Sequence, residues 1–155
     1  MPKLHVTTKV QATPEAIFGF LADYRNIPVL QPHFESARLL GDTTHGKGAV
    51  IELKGHFHGF PITATDRIIS FTPPYRLVSI SEGMVLSRTT WELRPISDGP
   101  DPLTEASFTL EYKVGGPLGN LFTGLASSLF NKEVETMTQE SMRRLSTIFA
   151  ANKDT

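Results

Sequence analysis

Residues 104–117 read TEASFTLEYKVGGP, and the fold turns on what changes at the end of that stretch. Up to Val114 the apolar Ala106, Phe108, Leu110 and Tyr112 alternate with Glu105, Ser107, Thr109, Glu111 and Lys113. That is the period of a strand with one buried and one wet face. Gly115, Gly116 and Pro117 break it, and beyond them the apolar spacing lengthens to about 3.6. Leu118, Leu125, Leu129, Val134, Met137, Leu145 and Phe149 mark one helical stripe. All eleven prolines lie at or before Pro117, so no later residue forbids a continuous helix. A helix of about 33 residues would be a rod of roughly 50 Å. Gly119 and Gly124 weaken its first turns and leave its start open.

Upstream, the chain reads as strands and turns. Lys3 to Ala12 is a strand, with Leu4, Val6 and Val10 on one face and Lys3, His5 and Lys9 on the other. Thr13 then reads as a helix N-cap, Pro14 as the first helical residue, and Glu15 sits at the positive end of the helix dipole. Ile17, Phe20, Leu21 and Tyr24 give this short helix one buried face. A second helical turn follows Asn26 and should stop before Pro32. Further strands are predicted over Phe34–Leu40, Ala49–Phe57, Phe60–Phe71, Tyr75–Ser81 and Met84–Leu93. Asp98 to Pro102 is a loop on composition.

This order predicts an α+β domain over residues 1–155. A curved antiparallel seven-stranded sheet wraps around a long C-terminal helix, with two short helices after the first strand. Alternation along most strands leaves one sheet face to be covered, and only the last helix is long enough to cover it. A helix is about 10–12 Å across, narrow for a strongly twisted sheet. The unfilled space would be an apolar cavity, the usual form of a small-molecule site.

The same punctuation resembles a known superfamily, the START-like or birch-pollen-allergen-like (SRPBCC) group with its helix-grip fold. Within it the chain is similar to the polyketide cyclase/dehydrase and lipid-transport family. The resemblance is carried by Thr13-Pro14-Glu15-Ala16-Ile17-Phe18, by Tyr24 to Pro32, and by Pro73-Pro74-Tyr75-Arg76-Leu77. Trp91-Glu92-Leu93-Arg94-Pro95, Thr104-Glu105-Ala106 and Gly116-Pro117-Leu118-Gly119 complete it. Gln31 departs from the pattern, standing where the family often has a tryptophan, a change that would bear on the cavity mouth. The resemblance implies a ligand cavity but no single reaction, because family members include cyclases, carriers and ligand-sensing proteins.

Composition narrows the classes. Fifteen basic and sixteen acidic residues nearly cancel, giving no electrostatic signal for nucleic acid. Cysteine is absent, which excludes disulfides and thiolate chemistry and fits a reducing cytoplasm. The first ten residues alternate and do not read as a secretory signal. No stretch approaches the roughly 18 apolar residues of a membrane span. No nucleophile elbow, zinc-protease helix or phosphate loop occurs. No cofactor or metal is expected. His56 and His58 have a metal-like spacing, but share the wet face with Glu52 and Lys54.

The expected ligand wall comprises Leu53 and Phe57 on one strand, with Thr89 and Trp91 on another. Phe108, Leu110 and Tyr112 face them from the strand quoted first. Leu121, Phe122, Leu125 and Leu129 on the helix would form the opposite wall. Trp91 and Tyr112 carry polar tips that need partners when buried. Asp66 and Tyr112 are the candidates for chemistry. Period two does not settle whether Asp66 or Arg67 points inward, since Ile68 and Ile69 are both apolar. The expected arrangement is an outward pair, held across strands by Arg76 or Arg88.

Three readings follow. The first is a protein, monomer or homodimer, that binds a small hydrophobic molecule: a lipid, isoprenoid or polyketide-like aromatic. The second is a cyclase or dehydratase-type enzyme in the same cavity, without metal or cofactor, relying largely on positioning. The third is a quinone-binding or protein-interaction module.

Overall fold

The computed structural model describes residues 2–83, 85–114 and 125–153, with side chains over 127–150 of the last segment. Strand β1 (Lys3–Val10) is followed by helix α1 (Pro14–Ala22), a 3-10 turn (Tyr24–Asn26) and the short α2 (Ile27–Leu30). Six strands follow: β2 (Phe34–Leu40), β3 (Val50–Phe57), β4 (Phe60–Thr72), β5 (Arg76–Gly83), β6 (Val85–Ser97) and β7 (Leu103–Val114). Helix α3 (Leu125–Lys153) is the last described element. The expected α+β architecture is the one observed. Met84 and residues 115–124, which hold the expected start of the last helix, lie outside the described residues.

The seven strands form one antiparallel sheet in the order β1-β7-β6-β5-β4-β3-β2. Consecutive strands are neighbours from β2 to β7, as short connections require. The first strand closes onto the last, with Val6 opposite Phe108. The β3–β4 hairpin turns through His58 and Gly59, both with positive φ (50° and 82°), the geometry of a two-residue turn that matches strand twist. Strand β6 runs four residues beyond the expected Leu93, passing Pro95 where its register with β7 shifts.

Local chemistry sets the first helices. The Ala16 amide donates to the Thr13 hydroxyl at 3.2 Å, the N-cap bond expected of Thr13. Buried Thr104 donates to the Ala12 carbonyl at 2.7 Å and ties the entrance of α1 to β7.

Helix α3 lies along β1 and touches α2. Met142 and Leu145 are buried among Val10, Ile17, Phe18, Leu93 and Ala106, each full burial contributing roughly 1.5–3 kcal/mol. Phe149 meets Phe20 edge-on at 5.9 Å. Ser141 and Ser146 donate to the carbonyls of Leu30 and Lys9. The C-terminal half of α3 is therefore the packed end of the molecule. Its other half spans the remaining concave face of the sheet.

Candidate ligand cavity

A cavity of about 280 Å³ lies between that concave face and α3. Register builds its sheet wall in rows, because side chains opposite one another across strands share a face. One row runs Ile51, Asp66, Ser81, Ser87, Tyr112. The next runs Ile68, Ser79, Thr89, Leu110, and a third runs Leu77, Trp91, Phe108. All twelve line the cavity. The wall is thus apolar at its rims, with a hydroxyl-rich band across its middle strands.

Asp66 is the largest departure from the expected arrangement. Its carboxyl lies in the cavity wall, while Arg67 is exposed on the other face. The outward pair is therefore corrected. The reason is a register shift between Ile68 and Ser70 against β5. It absorbs one extra residue, so Asp66 and Ile68 face inward in one phase and Phe71 packs on the core in the other. Simple alternation cannot place both.

Burial pushes the Asp66 carboxyl up to about 6, against a lowering hydrogen bond from Ser79. Ser79 and Thr89 hydroxyls stand 2.7 Å apart. A hydroxyl has one proton, so when Ser79 donates to Asp66, Thr89 donates to Ser79. The three groups form a short relay along the wall.

Tyr112 donates to Asn131 of α3 at 2.5 Å, and burial, then the nearby Glu135 charge, raise its phenol. His33, between α2 and β2, also lines the cavity, and burial lowers its imidazole to about 4. It is neutral near pH 7. Its carbonyl accepts the His56 amide at 3.0 Å. An added Cβ on Gly55 would stand 1.8 Å from that same carbonyl oxygen. A glycine on β3 is thus what lets the His33 segment close against the sheet.

Leu53, Phe57, Thr89, Trp91, Phe108, Leu110 and Tyr112 all stand on the cavity wall where the sequence placed them. Leu121 and Phe122 lie outside the described residues, as does the Leu125 side chain. Leu129 is corrected: it is 62% exposed and takes no part in the wall. The helix presents Phe130, Val134, Met137 and Met142 instead. The expected stripe steps five residues from Leu129 to Val134, which is off helical phase, whereas Phe130, Val134 and Met137 keep it. That spacing was the available signal. For His33, Ser79 and Ser81 no comparable signal existed. Gln31 lines the cavity as well.

The two paired histidines part company. His56 pairs with Glu35 at 2.5 Å, and His58 with Glu133 of α3 at 3.1 Å. Among the described residues no three His, Cys, Asp or Glu side chains stand together as a metal set, and no helix is long and apolar enough to cross a membrane.

The family model described as polyketide cyclase/dehydrase and lipid transport matches residues 1–148. No curated protein matches the chain. Among solved structures, a conserved protein from Geobacillus kaustophilus is similar with TM-score 0.74 at 16% identity, over 97% of this chain and 96% of that one. The Zhui aromatase/cyclase from a Streptomyces species is similar with TM-score 0.72 at 15% identity, over 96% and 93%. A START superfamily protein from Mycobacterium smegmatis is similar with TM-score 0.69 at 16% identity, over 94% and 98%. At these identities the likeness is one of fold.

Proposed function

The chain belongs to the polyketide cyclase/dehydrase and lipid transport family, and on that premise we propose that it binds a small hydrophobic molecule between its sheet and α3. The carrying observation is the 280 Å³ cavity, walled by Trp91, Phe108, Leu110, Phe130, Val134 and their neighbours. Its size is just below the roughly 300–1,000 Å³ common for ligand sites. That suits a compact aromatic, an isoprenoid or a medium acyl chain better than a whole phospholipid. A cytoplasmic setting accords with a cysteine-free chain, and both monomer and homodimer accord with this reading.

Trp91 supplies the test. It is the single tryptophan and lines the cavity. Its fluorescence should shift saturably with a fitting apolar probe such as 1-naphthol, with a rise in Tm. Replacing half-buried Ala64 by Trp, in the wall beside Leu53, should remove the Tm rise. No response to any of a panel of lipids and aromatics would defeat the reading.

One observation favours the second reading, a cyclase or dehydratase. Asp66, titrating near 6 inside the cavity, is suited to take or give a proton near neutral pH. Turnover of a polyketide-like substrate that is lost in Asp66→Asn with binding retained would establish it.

A further inference from the structure

We propose that the cavity takes an apolar molecule carrying one protonated amine, whose ammonium pairs with the Asp66 carboxylate. This rests on the hydrophobic-ligand reading and specifies the polar end of that ligand.

The geometry leaves Asp66 a charge without a counter-charge. Among the described residues, no Lys or Arg lines the cavity and none forms an ion pair with Asp66. Its flanking residue Arg67 is on the outer face. Ile51 on β3 and Ser81 on β5 stand opposite it, Ser79 on β5 bonds to it, and α3 contributes Val134, Met137, Thr138, Ser141 and Met142 to the same cavity wall. None of these titrates. The described titratable groups that share this cavity wall with Asp66 are Tyr24, His33 and Tyr112; His33 is neutral above about pH 4, and Tyr112 stays protonated because burial raises it.

An ionised carboxylate in such a wall discriminates between ligand ends. A second carboxylate would repel it. A purely apolar guest would strip solvent from it and supply nothing in return, which is costly for a charge. An ammonium supplies both a charge and three donors, in surroundings of low effective dielectric where attraction is strong. Asp66 can accept from the ligand while still accepting from Ser79. The apolar body of the guest would lie along Leu110, Trp91 and Phe108, in the adjoining rows.

The test compares n-octylamine, n-octanol and octanoate by isothermal titration with the full chain, at about pH 7.5 and about pH 5. The expected result is octylamine tighter than octanol by about tenfold or more, with octanoate weakest. Octylamine should weaken roughly tenfold at about pH 5, as the free carboxyl takes up a proton, while octanol should not weaken. In Asp66→Asn the ratio of octylamine to octanol affinity should fall to near one. Octylamine and octanol binding within about twofold of each other would overturn the amine proposal and leave the hydrophobic-ligand reading standing. Binding by none of the three would sink both. Should Asp66→Asn fail to fold, the pH dependence of octylamine in the unaltered protein decides: an affinity equal at the two pH values overturns the proposal.

Discussion

The Tyr112 hydroxyl on β7 donates to Oδ1 of Asn131 on α3 at 2.5 Å, joining sheet to helix at the cavity's edge. The bond spans the half of α3 that is not locked into the packed core. Phe130 stands beside it, its ring centroid 6.1 Å from that of Tyr112. Removing the hydroxyl leaves Asn131 without its partner but keeps the ring contact. Tyr112→Phe should therefore cost about 1 kcal/mol in denaturant unfolding. The loss should concentrate locally, as faster amide exchange around residues 127–134 with the 142–149 region unchanged. Uniform acceleration along α3 would contradict this division of the helix.

Asp66 and His33 make opposed contributions to stability over one pH window. The folded Asp66 titrates near 6, against 3.8 for a solvated aspartate. Between those values the folded state holds more protons than the unfolded one, so stability falls as pH rises. The folded His33 titrates near 4, against 6.5. There the folded state holds fewer protons, so stability rises with pH across about 4 to 6.5. Each swing is on the order of 3 kcal/mol. The unaltered protein should be nearly flat between about pH 4 and 6.5. Asp66→Asn should uncover stability rising with pH, and His33→Gln stability falling with it. Urea unfolding at several pH values checks this, and two variants with parallel curves would refute it.

Gly55→Ala should be among the most damaging single-methyl additions in the chain. The new Cβ would overlap the His33 carbonyl oxygen, and that atom is backbone, already accepting from His56. Relief requires β2 to move off β3 or His33 to leave the cavity wall. A loss of about 3 kcal/mol is expected, with a lowered Tm and weakened probe binding together. A Tm unchanged within a degree or so would show that the segment can shift without strain.

Much of this protein was legible in residue order. The alternation in 104–114, the glycine–proline break and the proline-free tail set the last strand and the long helix. Seven strands with short connections then left few topologies. The wall residues on β6 and β7 followed, because Thr89, Trp91, Phe108, Leu110 and Tyr112 belong to unbroken alternating runs whose partners lie directly opposite.

What escaped the sequence has one cause in several places. Periodicity reports which residues share a face only while the phase is kept. The shift after Ile68 turns Asp66 inward and Arg67 outward, and no residue type marks it. On α3 the wall follows the phase of Phe130, which leaves Leu129 in solvent. His33 reaches the cavity from a connection with no period at all, admitted by a glycine on a neighbouring strand. Local pattern determined the elements and their greasy faces. Which charged groups those faces enclose, and hence how the pocket treats a guest's polar end, was decided only when strands and helix met, because burial and charge depend on neighbours far apart in the chain.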